Sequence, residues 1–246
     1  MFKTGLVSIS FRKNDVEEII RKVSEAKLEY VEWGSDVHAP FDNFRAISNI
    51  NGLSEQYGVK TSSYGTYFKV GRDDPNDIKN YFSAAKSLGT NVLRVWIGLK
   101  GSADFSKDEK QRAYEDCIAI SDMAKNEGIV ICCECHPKTL TDDVNSTLEL
   151  MKNVARDNFK MYWQPNQFIS VEDNVLCAEK IAPYTVNIHV FNWKDKERYP
   201  LVESIDTWKR YLDKFDGTQK LLLEFMPDDD INSLNREAEA LRKIIG

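Results

Sequence analysis

The chain has 246 residues, 42% of them hydrophobic, and a formal net charge of −6. That is enough apolar material for one large core, and barrels of about 250 residues are routinely single domains. The acidic balance excludes a general attraction to phosphate backbones or anionic lipid, and no apolar run is long enough to span a bilayer.

In chain order, a short run rich in β-branched and aromatic residues recurs eight times, each followed by a polar loop and an amphipathic stretch. The strands are predicted at 4–11 (TGLVSISF), 30–34 (YVEWG), 59–67 (VKTSSYGTY) and 91–98 (NVLRVWIG). The second four are predicted at 129–135 (IVICCEC), 159–165 (FKMYWQP), 185–193 (TVNIHVFNW) and 220–226 (KLLLEFM). Helical patterns such as 14–27, 75–89, 106–128, 201–215 and 229–245 lie between and after them. Gly58, Gly89, Gly128 and Gly217 each fall just after a helical pattern, where a left-handed residue ends a helix without steric penalty. Asp142, Asp229 and Ser204 are expected in early-turn or capping positions.

Strict alternation implies parallel strands, because each return needs a crossover helix. Eight such units predict an α/β fold, a single closed (β/α)8 TIM barrel over residues 1–246, eight parallel strands with outer helices. An open doubly wound sheet is the alternative, but VSISFRKND after the first strand has no Gly-rich phosphate fingerprint. The long strand-to-helix connections, 34–41, 67–75, 98–107 and 192–201, place the expected site at the barrel mouth. Lys194, Lys196 and Arg198 in the last of these alternate with acids and read as solvated loop. Five Cys is an odd count, and Cys132, Cys133 and Cys135 crowd one strand whose neighbours face opposite ways, so the thiols read as reduced. With an N-terminus that lacks a long apolar segment, they give a cytoplasmic expectation.

Side chains alternate along a strand, so residues two apart share a face. The fifth strand thus groups Cys132, Glu134 and His136, and the sixth groups Tyr162, Gln164 and Asn166. The seventh offers Asn187 and His189, the eighth Leu222, Glu224 and Met226. Each has a bland reading: Glu134 pairs with inward-facing Arg94, a strand His is satisfied in the core, and Gln164 alone carries no signal. Together they are harder to bury. An unsatisfied polar group costs about 1–3 kcal/mol, and an unpaired charge costs more. A divalent cation is a partner they could share, since imidazole nitrogen and carboxylate oxygen are ordinary ligands for Zn, Mn or Co.

With VEWGSDVHAP, LRVWIG, CECHP, IHVFNW and LLLEF in this order and spacing, the whole chain resembles the xylose-isomerase-like barrel superfamily of sugar isomerases and epimerases, which includes endonuclease IV relatives. The resemblance implies one divalent ion (Mn, Co, Zn or Mg) held by Glu134, Gln164, His189 and Glu224. Gln164 departs from the usual Asp, which implies weaker or differently selective metal binding, and a metal-free protein is compatible with it. Asn192 stands where relatives often carry Asp, which would remove an orienting hydrogen bond.

The implied chemistry is proton removal alpha to a sugar carbonyl through an enediolate, as in ketohexose 3-epimerases. Glu134 and Glu224 then act as metal ligands and as base and acid. Expected substrate contacts are Glu32, His38, Arg94, Trp96, His136 and Asn166. Glu32 has the metal ligands as an alternative partner, His38 a surface role, Arg94 the orientation of Glu134, and Trp96 the barrel core. Trp163, of opposite parity to Gln164, is expected to pack on the helices. A dehydratase or lyase acting on a cyclic polyol would use the same site, and a degenerate sugar-binding barrel is the non-catalytic alternative. DNA phosphodiesterase chemistry is disfavoured by only three His and an acidic chain. The expected partner is a small sugar or sugar-derived substrate, with no nucleic acid and no membrane; a homo-oligomer is compatible with the chain.

Overall fold

The repeated β-branched segments pair edge to edge until the sheet closes on itself. A computed structural model describes all of residues 1–246. The barrel strands are β1 (Lys3–Val7), β2 (Tyr30–Gly34), β3 (Lys60–Val70), β4 (Val92–Ile97), β5 (Val130–Glu134), β6 (Phe159–Trp163), β7 (Thr185–Val190) and β10 (Lys220–Leu223). All are parallel, in the closed order β1-β10-β7-β6-β5-β4-β3-β2. A two-residue-per-strand hairpin, β8 (Trp193–Lys194) and β9 (Glu197–Arg198), decorates the loop after β7. The helices are α1 (Val16–Glu25), α2 (Phe44–Tyr57), α3 (Lys79–Ser87), α4 (Lys107–Asn126), α5 (Val144–Val154), α6 (Val171–Ile181), α7 (Ile205–Leu212) and α8 (Leu234–Ile245). This is the predicted (β/α)8 architecture.

The main apolar core lies between the outer strand faces and the helices, as in barrels generally. Trp163 packs there, its ring 6.1 Å from that of Trp208 and 5.3 Å from that of Tyr211. Gly58, Gly89, Gly128 and Gly217 all have positive φ, as their positions after helices require.

Four local expectations are corrected. Residues 67–70 continue β3, because a register break between Gly65 and Lys69 lets the strand run on past the expected turn. Asp143, one residue later than expected, caps α5, while Asp142 accepts from the Ser102 backbone N–H. Ser204 precedes α7 without a side-chain cap, its hydroxyl donating to Leu201 O, and Asp230 takes the capping place expected of Asp229.

Inside the barrel, a small apolar layer of Val92, Cys132 and Tyr162 underlies a charged one. Gly65 makes room for that charged layer. A Cβ there would stand 2.8 Å from both Arg94 Nη2 and Glu32 Oε1, two groups that bond to each other. Gly65→Ala is therefore expected to lower the unfolding free energy by about 3 kcal/mol, the scale of a broken buried ion pair. Gly52→Ala in α2, where the added carbon meets nothing within 4 Å, should be neutral or stabilising. Denaturant unfolding of the two variants checks the contrast.

Candidate active site

β5 ends on Glu134 and β7 carries His189 on the inner face, where the strand period places them. Gln164 and Glu224 lie one residue beyond β6 and β10, at the mouth. The Glu224 backbone N–H is tied to Val190 O at 3.0 Å, and Phe225 follows in the left-handed region with its N–H on Ser10 Oγ. That turn directs the chain away while Glu224 stays at the opening.

The four predicted ligands converge. His189 Nδ1 lies 3.1 Å from Glu134 Oε1, 3.3 Å from Gln164 Oε1 and 3.5 Å from Glu224 Oε2. One atom each from Glu134, His189 and Glu224 falls within 4.8 Å of the others. Three acceptors face one ring nitrogen, which carries at most one proton, so a single N–H cannot serve them all. A small divalent cation can, and two carboxylates, an amide oxygen and an imidazole form an ordinary donor set for Mn, Co, Zn or Mg. The other ring nitrogen, Nε2, is buried without a hydrogen-bond partner, 3.7 Å from Glu32 Oε1. A carboxylate on the far side of a ligating imidazole is the usual orienting arrangement.

Below this gap runs a buried chain of charge. Arg94 Nε donates to Glu32 Oε1 at 2.8 Å and Nη1 to Glu134 Oε2 at 2.6 Å, with all three residues at most 2% exposed. Ser63 Oγ donates to the other Glu32 oxygen at 2.9 Å, and Trp96 Nε1 donates to Glu134 Oε2. Burial pushes the Glu32 carboxyl up, but the Arg94 charge and the nearby His189 outweigh it and bring it down to about 2. Glu134 shows the same opposition and is also lowered, mainly by Arg94. Glu224, lacking a guanidinium partner of its own, is raised by burial. Burial opposes charge on His189, yet Glu224, Glu134 and Glu32 together raise it to about 10. Three carboxylates against one guanidinium leave a charge of −2 when His189 is neutral, which one divalent ion would balance. An Asp in place of Gln164 would make it −3.

A cavity of about 400 Å³ opens above the gap, lined by Arg94, Trp96, Glu134, His136, Gln164 and Glu224 among others. Trp96 and His136 stack, with ring centroids 5.0 Å apart and an interplanar angle of 28°. Three expected substrate groups do not reach this cavity. Glu32 is sealed beneath Arg94 and touches the ligand set instead. His38 is buried between Ser8 Oγ and Asn14 O, each at 3.2 Å, which corrects the surface reading, and it does not line this cavity. Asn166 Oδ1 accepts from Phe168 N and its backbone N–H is held by Asn174, so it builds the loop after β6. Asn192 likewise secures its loop, donating to Pro200 O at 2.9 Å. The cavity also takes Arg12, Tyr67, Lys138, Phe168, Trp193 and Phe225, none of which was singled out from the sequence.

A sequence model of the family described as "Xylose isomerase-like TIM barrel" matches residues 20–214. A 3-dehydroshikimate dehydratase from Bacillus anthracis is 40% identical over 109 residues, 42% of this chain and 37% of that protein. The match therefore spans little more than a third of that relative's length. Among solved structures, a probable 3-DHS dehydratase of petrobactin synthesis from Bacillus anthracis superposes with a TM-score of 0.83 at 22% identity, covering 98% of this chain and 99% of that one. A D-psicose 3-epimerase from Clostridium cellulolyticum H10 superposes with a TM-score of 0.72 at 15% identity, covering 98% and 97%. At these identities the two superpositions speak for the fold alone.

If the four groups share a cation, calorimetric titration with Mn²⁺ should give one site per chain. Glu224→Gln should weaken it at least tenfold, and Gln164→Asp, by adding a charge, should strengthen it at least tenfold. Unchanged affinity in both variants would remove these groups from the binding of the ion.

Proposed function

This chain belongs to the xylose isomerase-like TIM barrel family, and from that membership we propose that it is a divalent-metal-dependent lyase that eliminates water from a hydroxylated cyclic ketone. The observation that carries this reading is the double engagement of Glu134. Its Oε2 accepts from Arg94 and Trp96, and its Oε1 faces the ligand gap. Only one lone pair, on Oε1, stays uncommitted, and the Arg94 charge keeps the group a weak base.

An epimerase needs a base and an acid on opposite faces of one carbon. With each reacting atom about 3 Å from that carbon, the two would stand roughly 6 Å apart. The facing oxygens of Glu134 and Glu224 instead lie within 4.8 Å, around the same imidazole nitrogen. Both act better as ligands than as a proton-relaying pair.

His136 is the base this cavity offers. Its Nδ1–H donates to Pro137 O at 2.7 Å, which fixes the tautomer and leaves the Nε2 lone pair free. Its ring is held flat against Trp96, and Thr139 Oγ1 donates to its carbonyl at 2.7 Å. The proton alpha to the ketone passes to His136 Nε2, and the C–H electrons move toward the carbonyl oxygen. The ion, when bound by Glu134, Gln164, His189 and Glu224, supplies the Lewis acidity that makes such a proton removable. The electrons then return to form the carbon–carbon double bond as the β C–O bond breaks. The imidazolium hands its proton to the departing hydroxide, so one water leaves and His136 is restored. Arg94 holds Glu134 in place and keeps it ionised. The 40% identical stretch shared with a 3-dehydroshikimate dehydratase supports elimination over epimerisation.

The test is incubation of the Mn²⁺-loaded protein with 3-dehydroshikimate, which on losing water and tautomerising gives 3,4-dihydroxybenzoate. Formation of the aromatic product is expected, with kcat at least a hundredfold lower in His136→Asn. Deuterium uptake into ketohexoses from D2O, with no dehydration of the cyclic keto-acid, would overturn the reading in favour of an epimerase.

A further inference from the structure

The proposed reaction leaves the hairpin after β7 without a role, and two residues per strand are too few to hold such a hairpin by themselves. Its base is closed by the Tyr199 N–H on Asn192 O at 2.8 Å and by Asn192 Nδ2 on Pro200 O. Lys194 and Lys196 are exposed at its tip, as the charge pattern of the segment implies. Arg198 departs from that reading, with a side chain only 27% exposed. The register explains the difference. Arg198 pairs directly with Trp193, and cross-strand partners share a face of a hairpin.

From there the guanidinium reaches the loop that follows β10. Its carbon lies 5.1 Å from the centre of the Trp193 ring and 5.0 Å from that of Phe225, and the two rings are 5.7 Å apart. One cation is thus attracted to both ring systems. Arg198 Nη1 also donates to Met226 O at 3.3 Å and to Asp229 Oδ1. These are the only hydrogen bonds between the hairpin and that loop. Trp193 and Phe225 both line the active cavity, whereas Arg198 does not.

In the closed order β10 and β4 are four strands apart, which puts them on opposite sides of the barrel. Phe225, just beyond β10, therefore stands across the mouth from Trp96 of β4. The two sides are held differently. Trp96 is a strand residue whose indole N–H is fixed on Glu134, with Tyr67 of β3 in edge contact at 5.7 Å. Phe225 stands on a loop, Trp193 in the loop hairpin, and the Trp193 indole N–H has no hydrogen-bond partner. The polar group that ties this second side together is the Arg198 guanidinium.

We propose that Arg198 is a positioning residue for the cavity. By fastening the hairpin to the loop after β10 it fixes the Trp193–Phe225 wall, and with it the width of the space offered to a ligand. This goes beyond the lyase reading, because a wall of fixed position serves any molecule that binds beside the ion. The ion's ligands do not depend on it. The Glu224 backbone N–H is tied to Val190 O and the Phe225 N–H to Ser10 Oγ, while His189 belongs to β7 itself. Loss of the guanidinium should therefore loosen the wall and leave the ion site as it is.

Hydrogen exchange followed by mass spectrometry on the Mn²⁺-loaded protein reads the wall without any substrate. In Arg198→Met, amide exchange should quicken at least tenfold both in 193–199 and in 225–230, while strands 130–134 and 185–190 keep their rates. Arg198→Lys, which keeps the charge but not the planar fork shared by two rings and two acceptors, should quicken the same two segments by a smaller factor. With 3-dehydroshikimate as substrate, Arg198→Met should raise KM at least tenfold and leave kcat and Mn²⁺ affinity within threefold, a split that a general loss of structure would not give. Unchanged exchange, a rise confined to the hairpin or one shared by the barrel strands would overturn the proposal. So would a fall in kcat at constant KM. If the unaltered protein does not dehydrate 3-dehydroshikimate, the lyase reading fails, and the paired exchange of the two loops alone decides for or against Arg198.

Discussion

The barrel interior is organised around one buried guanidinium. Arg94 lies 2% exposed between Glu32 and Glu134, and the desolvation of three charges is offset only if their hydrogen bonds are nearly complete. The neighbours meet that condition. Ser63 takes the second oxygen of Glu32, Trp96 shares an oxygen of Glu134, and Gly65 leaves the volume in which the Arg94–Glu32 bond forms. A pair this constrained fixes β2, β4 and β5 relative to one another at the level where the site begins. It also fixes Glu134 in one rotamer, with a single oxygen turned to the opening.

The charge that remains is one that a single divalent ion would cancel. Removing the Glu32–Arg94 pair from the account leaves Glu134 and Glu224 beside a neutral imidazole and a neutral amide. In such a setting Gln164 is consistent with a divalent site: the amide oxygen keeps a ligand while the total stays at the value one ion cancels. Without an ion the cluster draws a proton onto His189, whose pKa rises to about 10 despite burial. The same attraction for positive charge is expressed either way.

Much of this was readable because it depends on period two. Strand parity puts Glu134, His189 and Glu224 on the inner face, where the family resemblance gives them a ligand role, and parity also sends Trp163 to the helices. The sequence offers Arg94 and Glu134 both as a pair and as site residues; the structure pairs them and places both on the wall of the cavity. What escaped depends on backbone conformation that no alternation encodes. Lys69 was assigned to a loop because the register break after Gly65, which prolongs β3, has no signature in VKTSSYGTY. Lys138 and Phe225 reach the cavity through left-handed residues that are neither Gly nor Asn. His38 and Asn166 failed in the opposite way. Each sits in the expected loop, but short polar loops must satisfy their own backbone groups, and both side chains are spent on that.

Trp96 shows how one residue ties together several charged and ring groups in and beside the cavity. Its indole N–H secures Glu134, one neighbour in ring contact is His136, and the Lys69 ammonium lies against the ring. A ring quadrupole attracts a cation most when water is excluded, so Trp96 holds Lys69 near the cavity without neutralising it. A carboxylate partner in the protein would hold it equally well but would consume the charge. The same ring lies flat against His136, the base of the proposed elimination.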